Sequence, residues 1–317
     1  MTNRSLQGLI IINKPPGVTS HTVVERAKKT LRVRKAGHTG TLDPFATGVL
    51  TVCINEGTKL VPFLMEEEKE YQALLRLGVE TDTQDFTGRI ISEKEPVNVT
   101  KTDIEKTFRS FQGKITQIPP MYSALKHNGT PLYLLARQGK EIERARREIE
   151  IRELAILNIE LPRVLFRVVC SKGTYIRTLA SDIGKILGCG ACLEMLKRLR
   201  SGNFLIENSV TLDTLGKNSL EEIKAKWIIS PAQALSSFPA VIIDDEISHK
   251  VHQGRIVTHR DLHGKGSLPA DLKGKIRILN PQGEMIAIAE TVNSIKVDRE
   301  KHGEKPAWKL LRVFNLE

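Results

Sequence analysis

Short hydrophobic runs alternate with polar segments along the first two thirds of the chain. Residues 9–12 form an apolar run that predicts a buried strand, which Pro15 ends. Thr19 is a candidate N-cap for a helix over residues 21–31, because the apolar positions of that segment fall on one side. Residues 36–48 contain three glycines and a proline, and they predict a loop.

The middle of the chain contains both strand-like and helix-like hydrophobic patterns. Strand propensity marks residues 49–54, 70–77 and 164–170. Apolar residues at helical spacing predict a helix over 102–111, and a turn at 171–174 leads into a second helix from Ile176 towards Leu187. Mixed helices and antiparallel-looking strands predict an α+β sheet domain.

The pattern changes after Pro239. Short strand-like segments separated by Gly, Pro and Asp turns follow at residues 240–243, 275–279, 285–289 and 308–314. They predict a small all-β module. A length of 317 residues fits two domains, which we place at residues 1–236 and 237–317.

Positive charge is concentrated in two regions. The chain has a net charge of +11, with nine basic against three acidic residues in 1–60 and seven against two in 249–277. This favours a nucleic-acid partner, because each neutralised phosphate releases counterions; a solvated basic face is the alternative. No apolar run approaches the roughly 20 residues of a membrane span, and the N-terminus lacks a signal sequence, so we expect a cytoplasmic protein that binds no membrane.

Several residues are candidates for chemistry. Asp43 is an isolated carboxylate in the most basic part of the chain, although an N-cap or turn role before Pro44 is favoured by propensity alone. The glycines around it lack phosphate-loop spacing, which disfavours a nucleotide cofactor. His38 could be a base, a ligand or a stacking ring, or simply a solvated loop residue. Tyr71 could belong to the core or face a ligand.

Cysteines and histidines were weighed as metal or redox sites. Cys189 and Cys192 form a Cys-x-x-Cys, but a zinc site needs two further ligands and the other cysteines are isolated. We therefore expect buried free thiols in a link between two helices. Four histidines lie among lysines and arginines, which favours a phosphate-facing surface over a metal site: His249, His252, His259 and His263. We expect no metal.

Tyr175 and Arg177 are separated by one residue. If this segment is extended, their side chains share a face and can serve one site; an exposed turn with an unrelated arginine is the alternative.

Six segments together resemble, in order and spacing, the TruB family of bacterial tRNA pseudouridine synthases. They are residues 13–17, 36–48, 69–71, 119–125, 171–177 and 196–199. The resemblance covers residues 8–205. The region after 238 resembles, more weakly, the PUA-type RNA-binding module of such enzymes. The second cysteine, Cys192, is a departure from the family pattern.

The resemblance implies a fold, a substrate and a site. The fold is a pseudouridine-synthase domain, with a mixed, mostly antiparallel sheet and flanking helices, plus a small C-terminal PUA-like β-barrel. The substrate is uridine 55 in the T-arm of tRNA, isomerised without a cofactor, and we expect a monomer. Asp43 matches the catalytic aspartate, Tyr71 the ring stacked on the target base and Arg177 the cation paired with the aspartate. Substrate contacts are further implied for Lys14, His38, Tyr175 and Leu196.

Two other classes stay open on the sequence: a catalytically idle RNA-binding protein, favoured by the charge, and a thiol-redox or metal protein built on Cys189 and Cys192.

Overall fold

The structure is a computed structural model that describes residues 6–94, 98–262, 273–291 and 306–315. The helices of these residues are α1 (Ser20–Leu31), α2 (Val61–Leu64), α3 (Lys101–Ser110), α4 (Leu132–Arg137), α5 (Ile176–Ile186), α6 (Leu212–Lys217), α7 (Leu220–Trp227), α8 (Pro231–Ala234) and α9 (Asp245–His252). The strands up to the middle of the chain are β1 (Gly8–Lys14), β2 (Ala36–His38), β3 (Thr47–Ile54), β4 (Lys69–Leu77), β5 (Val79–Thr81), β6 (Ile90–Glu93), β7 (Gly113–Gln117), β8 (Lys126–His127) and β9 (Thr130–Pro131). The later strands are β10 (Arg147–Glu160), β11 (Arg163–Cys170), β12 (Ala191–Ser201), β13 (Phe204–Leu205), β14 (Ala240–Ile242), β15 (Lys275–Leu279), β16 (Met285–Thr291) and β17 (Trp308–Val313).

A long mixed sheet organises the larger part of the chain. Its strands follow the order β1, β3, β12, β4, β11, β10 and β7, with β2 added to β3 and β13 to β12. The strands pair in antiparallel fashion, apart from a short parallel contact between β12 and β3. The predicted α+β class with a mostly antiparallel sheet is confirmed.

The core lies on the face of the sheet that α3 and α5 cover. Along β4 every second residue is buried, which is the alternation expected of a strand with one packed face. Phe108 of α3 and Phe166 of β11 meet edge to face in this core, with ring centroids 5.5 Å apart. Tyr71 belongs to the same buried row of β4, so its ring lies where the core meets the site described below.

Helix α1 begins where the sequence predicted. The Thr19 side chain accepts a hydrogen bond from the Thr22 amide at 3.0 Å. Val23, Val24 and Ala27 are buried against β1 and β3, as the apolar pattern required.

The predicted loop over 36–48 is partly wrong, because its first three residues form β2. Strand β12 occupies one edge of β3 only at Thr47 and Gly48, which leaves the backbone further along that edge free. Strand β2 pairs there, with His38 opposite Val52. Backbone groups of a buried strand require partners, and this requirement outweighs the loop propensity of the segment.

Residues 187–190 connect α5 to strand β12, and residues 191–193 already belong to β12, so the predicted helix-to-helix link is wrong. Local propensity did not reveal that β12 begins directly after Gly190. The four cysteines are buried free thiols, as expected. Burial raises the pKa of the Cys192 thiol to about 11, which disfavours the thiolate that redox chemistry requires.

The C-terminal region forms a second sheet in the order β14, β15, β16 and β17. The expectation of a module without helices is wrong, because α9 packs on this sheet with Ile247 and Val251 buried. Its N-cap is Asp244, which accepts a hydrogen bond from the Ile247 amide at 2.9 Å. The boundary at residue 236 and the closed PUA-like barrel stay predictions.

Strands β3 and β12 approach each other closely at Gly48. Its φ is +100°, and a Cβ there would lie 2.2 Å from the carbonyl oxygen of Arg198. Gly17 has φ +79° but open space around its Cα. Both alanine variants carry the strain of the left-handed region, so their difference isolates the clash.

We expect Gly48→Ala to lower the free energy of unfolding by about 3 kcal/mol or more, and Gly17→Ala by about 1 kcal/mol. Urea denaturation of the two variants measures this. Equal losses would contradict the close packing of the two strands.

Candidate active site

A cavity of about 660 Å³ opens beside the centre of the sheet. Its wall includes the loop that follows β2, the start of β4, the turn before α5 and part of β12. Residues 123–125 and the start of β10 also belong to it. The residues proposed from sequence that line it are Asp43, Tyr71, Tyr175, Arg177 and Leu196. Segments that are distant in sequence therefore bring five of the seven proposed residues to one cavity.

Asp43 and Arg177 form a bidentate ion pair in this wall. Arg177 Nε lies 2.9 Å from Asp43 Oδ2, and Nη2 lies 3.0 Å from Oδ1. The arginine side chain is only 4% exposed, whereas the aspartate side chain is 31% exposed. The guanidinium is thus buried, whereas the carboxylate is partly exposed to the cavity.

The remaining donors of Arg177 bind backbone. Nη1 donates to the Thr83 carbonyl and Nη2 to the Tyr122 carbonyl, each at 2.8 Å. The buried carboxylate of Asp85 lies behind the pair, with Oδ2 at 3.7 Å from Arg177 Nε. A single guanidinium therefore joins the Asp43 loop to two further segments.

Sequence reasoning missed Asp85. Its Oδ1 accepts hydrogen bonds from the Thr87 amide and the Thr83 hydroxyl, each at 3.0 Å, so the carboxylate is held in place within its own turn. A carboxylate among threonines ahead of Gly88 was an available signal, since such a run predicts a turn with its own hydrogen bonds.

Two opposing influences act on the Asp43 carboxyl. Burial in the cavity wall raises its pKa above the usual range, and the Arg177 guanidinium opposes that shift. Asp85 and Lys14 add smaller effects, the first raising the pKa and the second lowering it. The charge state of the carboxyl thus depends on the ion pair with Arg177.

Aromatic and aliphatic side chains form the rest of the wall. Tyr71 on β4 is 8% exposed, and burial raises the pKa of its phenol. Leu196 on β12 lies opposite Ala73, two residues further along β4 from Tyr71. Tyr175 directly precedes α5. These groups form an apolar part of the cavity wall near the Asp43 carboxylate, while Glu66 and Glu148 are further carboxylates of the lining.

Gln117 fixes the backbone of Tyr175 and was not found from the sequence. Its side chain donates to the Tyr175 carbonyl at 3.0 Å and accepts from the Tyr175 amide at 2.8 Å. The amide group thus reproduces the pairing of a strand neighbour. No sequence pattern identifies such a contact, because the two residues are 58 positions apart.

Comparison with known proteins agrees with this geometry. Residues 28–176 match the model for the TruB family pseudouridylate synthase N-terminal domain, and residues 177–235 match the tRNA pseudouridylate synthase B C-terminal domain. The tRNA pseudouridine synthase B of Geobacter sulfurreducens is 44% identical over 98% of this chain and 100% of its own length. That of Geotalea uraniireducens is 43% identical over 98% and 99%.

The chain belongs to the TruB family.

Solved structures confirm the pseudouridine-synthase fold. A Cbf5-Nop10-Gar1 complex matches with a TM-score of 0.73 and 31% identity, covering 98% of this chain and 86% of the other. The archaeal box H/ACA sRNP Nop10-Cbf5 complex matches with a TM-score of 0.71 and 28% identity, covering 98% and 87%.

Lys14, expected from the TruB resemblance to contact substrate, is placed elsewhere. Its side chain has no exposed surface and does not belong to the cavity wall. Nζ donates to the carbonyls of Pro15, Val18 and Pro44 at 2.7–3.0 Å. Burial lowers the pKa of this amine to about 8. Because Pro44 follows Asp43 directly, Lys14 anchors the backbone that presents the carboxylate.

His38 also lies outside the cavity wall. It is half-buried on β2, and its Nδ1 accepts a hydrogen bond from the Gly40 amide at 3.3 Å. Burial, with the nearby cation of Arg198, lowers the pKa of the imidazole and favours its neutral form.

The sequence predicted no metal site and no membrane span, and the structure bears on both for the residues that it describes. Among the described residues, no cluster of three or more His, Cys, Asp or Glu side chains could hold a metal ion. His263 falls outside the residues that the structure describes. Within the described ranges, no helix combines the length and apolar character that crossing a bilayer requires.

Replacing Lys14 tests its anchoring role. We expect Lys14→Met to lower the free energy of unfolding by about 2–4 kcal/mol, because it removes the three hydrogen bonds that the Lys14 amine donates to backbone carbonyls. Lys29→Met, at an exposed position of α1, should stay within about 0.5 kcal/mol of the parent. Urea denaturation provides both values, and a negligible loss for Lys14→Met would contradict the anchoring role.

Proposed function

We propose that this chain converts uridine 55 in the T-loop of tRNA to pseudouridine, with Asp43 as the catalytic carboxylate. The observation that carries the proposal is the bidentate pair with Arg177, which leaves the Asp43 carboxylate accessible in a cavity that also contains Tyr71. The names of the Geobacter and Geotalea relatives support tRNA as the substrate.

The reaction is an isomerisation. The bond from ribose C1′ to uracil N1 breaks, the base turns, a bond from C1′ to C5 forms, and the proton on C5 leaves while N1 gains one. Atoms and electrons therefore balance without a redox partner or a phosphate donor. An ionised carboxylate supports this chemistry as a nucleophile at C1′ or at the ring, or as a base at C2′. Asp43 supplies that group, and Arg177 favours its ionised form.

The base must be reached and then retained. A uridine inside a folded loop has to flip outward at a cost of a few kcal/mol. Stacking on an aromatic ring returns about 1–3 kcal/mol. In our proposal Tyr71 stacks on the flipped base, and Tyr175 and Leu196 close the pocket around it while it turns. Tyr71 is also a candidate to relay the C5 proton.

Exposed basic residues occur in the cavity wall and on α1, although Lys172 pairs with Glu66 of the same wall. Arg147 and Lys172 are exposed residues of the cavity wall. Exposed cations on and after α1 extend the positive surface: Arg26, Lys29, Arg32, Arg34 and Lys35. We propose that these groups bind phosphates of the T-arm. We assign to His38 the space that the flipped nucleotide vacates in the T-loop.

The organisation of the chain follows from this assignment. In the proposal residues 1–236 form the catalytic domain and 237–317 a PUA-like RNA-binding domain, and a cytoplasmic monomer acts on tRNA without a small-molecule cofactor. Lys14 serves substrate binding indirectly, through the backbone at Pro44.

Asp43→Asn tests the central assignment with a nearly isosteric change. We expect pseudouridine formation to fall by about 1,000-fold or more, because the amide cannot supply the negative charge. Binding of an unmodified T-arm transcript should change by less than about threefold, since the phosphate contacts remain. Tritium release from C5-labelled uridine measures turnover, and mapping of the product locates the modified position.

Asp182→Asn is the matched control. Asp182 is a half-buried carboxylate on α5 that lies outside this cavity, and burial also raises its pKa. Its variant should retain the parental rate. Full turnover by Asp43→Asn, or no tritium release from the parent protein, would refute the proposed function.

A further inference from the structure

Arg198 occupies the point where three strands of the site meet. On β12 it pairs with Tyr71 of β4 on one side and with Gly48 of β3 on the other. Only 2% of its surface is exposed. Side chains that face each other across paired strands share one face of the sheet, so the guanidinium lies next to the Tyr71 ring.

The guanidinium of Arg198 donates hydrogen bonds to the backbone of two segments. Nε donates to the Val49 carbonyl at 2.6 Å, and Nη2 donates to the Gly40 carbonyl at 3.1 Å. Arg198 is also the direct strand partner of Tyr71, so its side chain lies on the same face of the sheet as the Tyr71 ring. Gly40 is three residues from Asp43, so one rigid group connects the carboxylate loop to the tyrosine strand.

Arg198 is a buried cation without a carboxylate partner among the described residues. Among the ion pairs within the described ranges, none includes Arg198, although burying a cation without a carboxylate is costly. The cation instead acts on its surroundings: it helps to lower the pKa of Lys14 and Lys69, and it opposes the upward shift of the Tyr71 phenol. Simple packing requires no charge at this position.

We propose that Arg198 is a positioning residue that donates to the Tyr71 hydroxyl across the paired strands while it holds the Gly40 carbonyl, and so sets the placement of the Tyr71 ring relative to the Asp43 carboxylate. This inference rests on the proposed function. Because a guanidinium only donates, the phenol oxygen is the acceptor, and the phenolic hydrogen remains available to the cavity.

Arg198→Lys tests the proposal, because it retains the charge and removes the planar fork. We expect kcat for pseudouridine formation to fall about 10- to 100-fold while KM changes by less than about threefold, since a displaced reacting geometry affects turnover more than binding. Arg198→Met should reduce kcat further. If Arg198→Met fails to fold, Arg198→Lys alone decides the question.

Arg200→Lys is the matched control. Arg200 lies on the same strand and is also partly buried, but it pairs with Glu70 at 3.0 Å, on the face of the sheet opposite to Tyr71. Its variant should keep kcat within about twofold of the parent. An equal loss in both variants would mean that strand stability, rather than positioning, is responsible, and would overturn the proposal.

Coupling to Tyr71 is the decisive readout. In a Tyr71→Phe background, Arg198→Lys should cost less than about threefold in kcat, because the group that it positions is absent. Additive losses would overturn the proposal.

The chain has four tyrosines, so ¹³Cζ-tyrosine NMR can follow Tyr71 without RNA. Its phenol pKa should rise in Arg198→Met, or, should that variant not fold, the Tyr71 resonance should shift in Arg198→Lys. An unmoved resonance would overturn the coupling. Absence of turnover by the parent would instead refute the proposed function and leave the NMR result to judge the coupling.

Discussion

The buried guanidinium of Arg177 is the group on which the site depends. Nearly all of its surface is enclosed, so its donors must find acceptors within the protein. It finds them on Asp43, Thr83 and Tyr122, which belong to three separate segments. The folded sheet brings these three segments together. Removing one partner of such a buried pair typically costs about 3–5 kcal/mol, which explains why carboxylate geometry and folding are linked here.

The sheet determines what the ion pair faces. Alternation along β4 places Tyr71 on the packed face, and the pairing of β4 with β12 brings Leu196 and Arg198 to the same side. The site therefore combines a rigid aromatic and aliphatic wall with a carboxylate on a loop. Lys14 anchors that loop, because its amine donates hydrogen bonds to three backbone carbonyls. An enclosure of this kind suits a reaction in which a detached base must turn without escaping.

Local patterns predicted what depends on local energetics. Helix α1, the strand β4 and the free thiols were found from periodicity and spacing, because each is determined by neighbouring residues. Strand β2 was missed because it exists only through the edge of β3. Helix α9 was missed because it is short and follows a turn-like Asp-Asp pair.

The site was predictable only through the family resemblance, and then incompletely. Asp85 and Gln117 act through partners that are distant in the sequence, so no periodicity reveals them. Lys14 belongs to a recognisable motif, but the motif does not tell a substrate contact from a buried anchor. Burial and the identity of the acceptors make that distinction.

The pH dependence of single-turnover pseudouridine formation tests the central claim most directly. Burial raises the pKa of Asp43, so activity should be lost as the pH falls through a value above the ordinary aspartate range. Arg177→Gln removes the opposing cation, and this acid limb should then move to still higher pH. An acid limb that keeps its position in Arg177→Gln would contradict the claim that the guanidinium controls the charge of the Asp43 carboxylate.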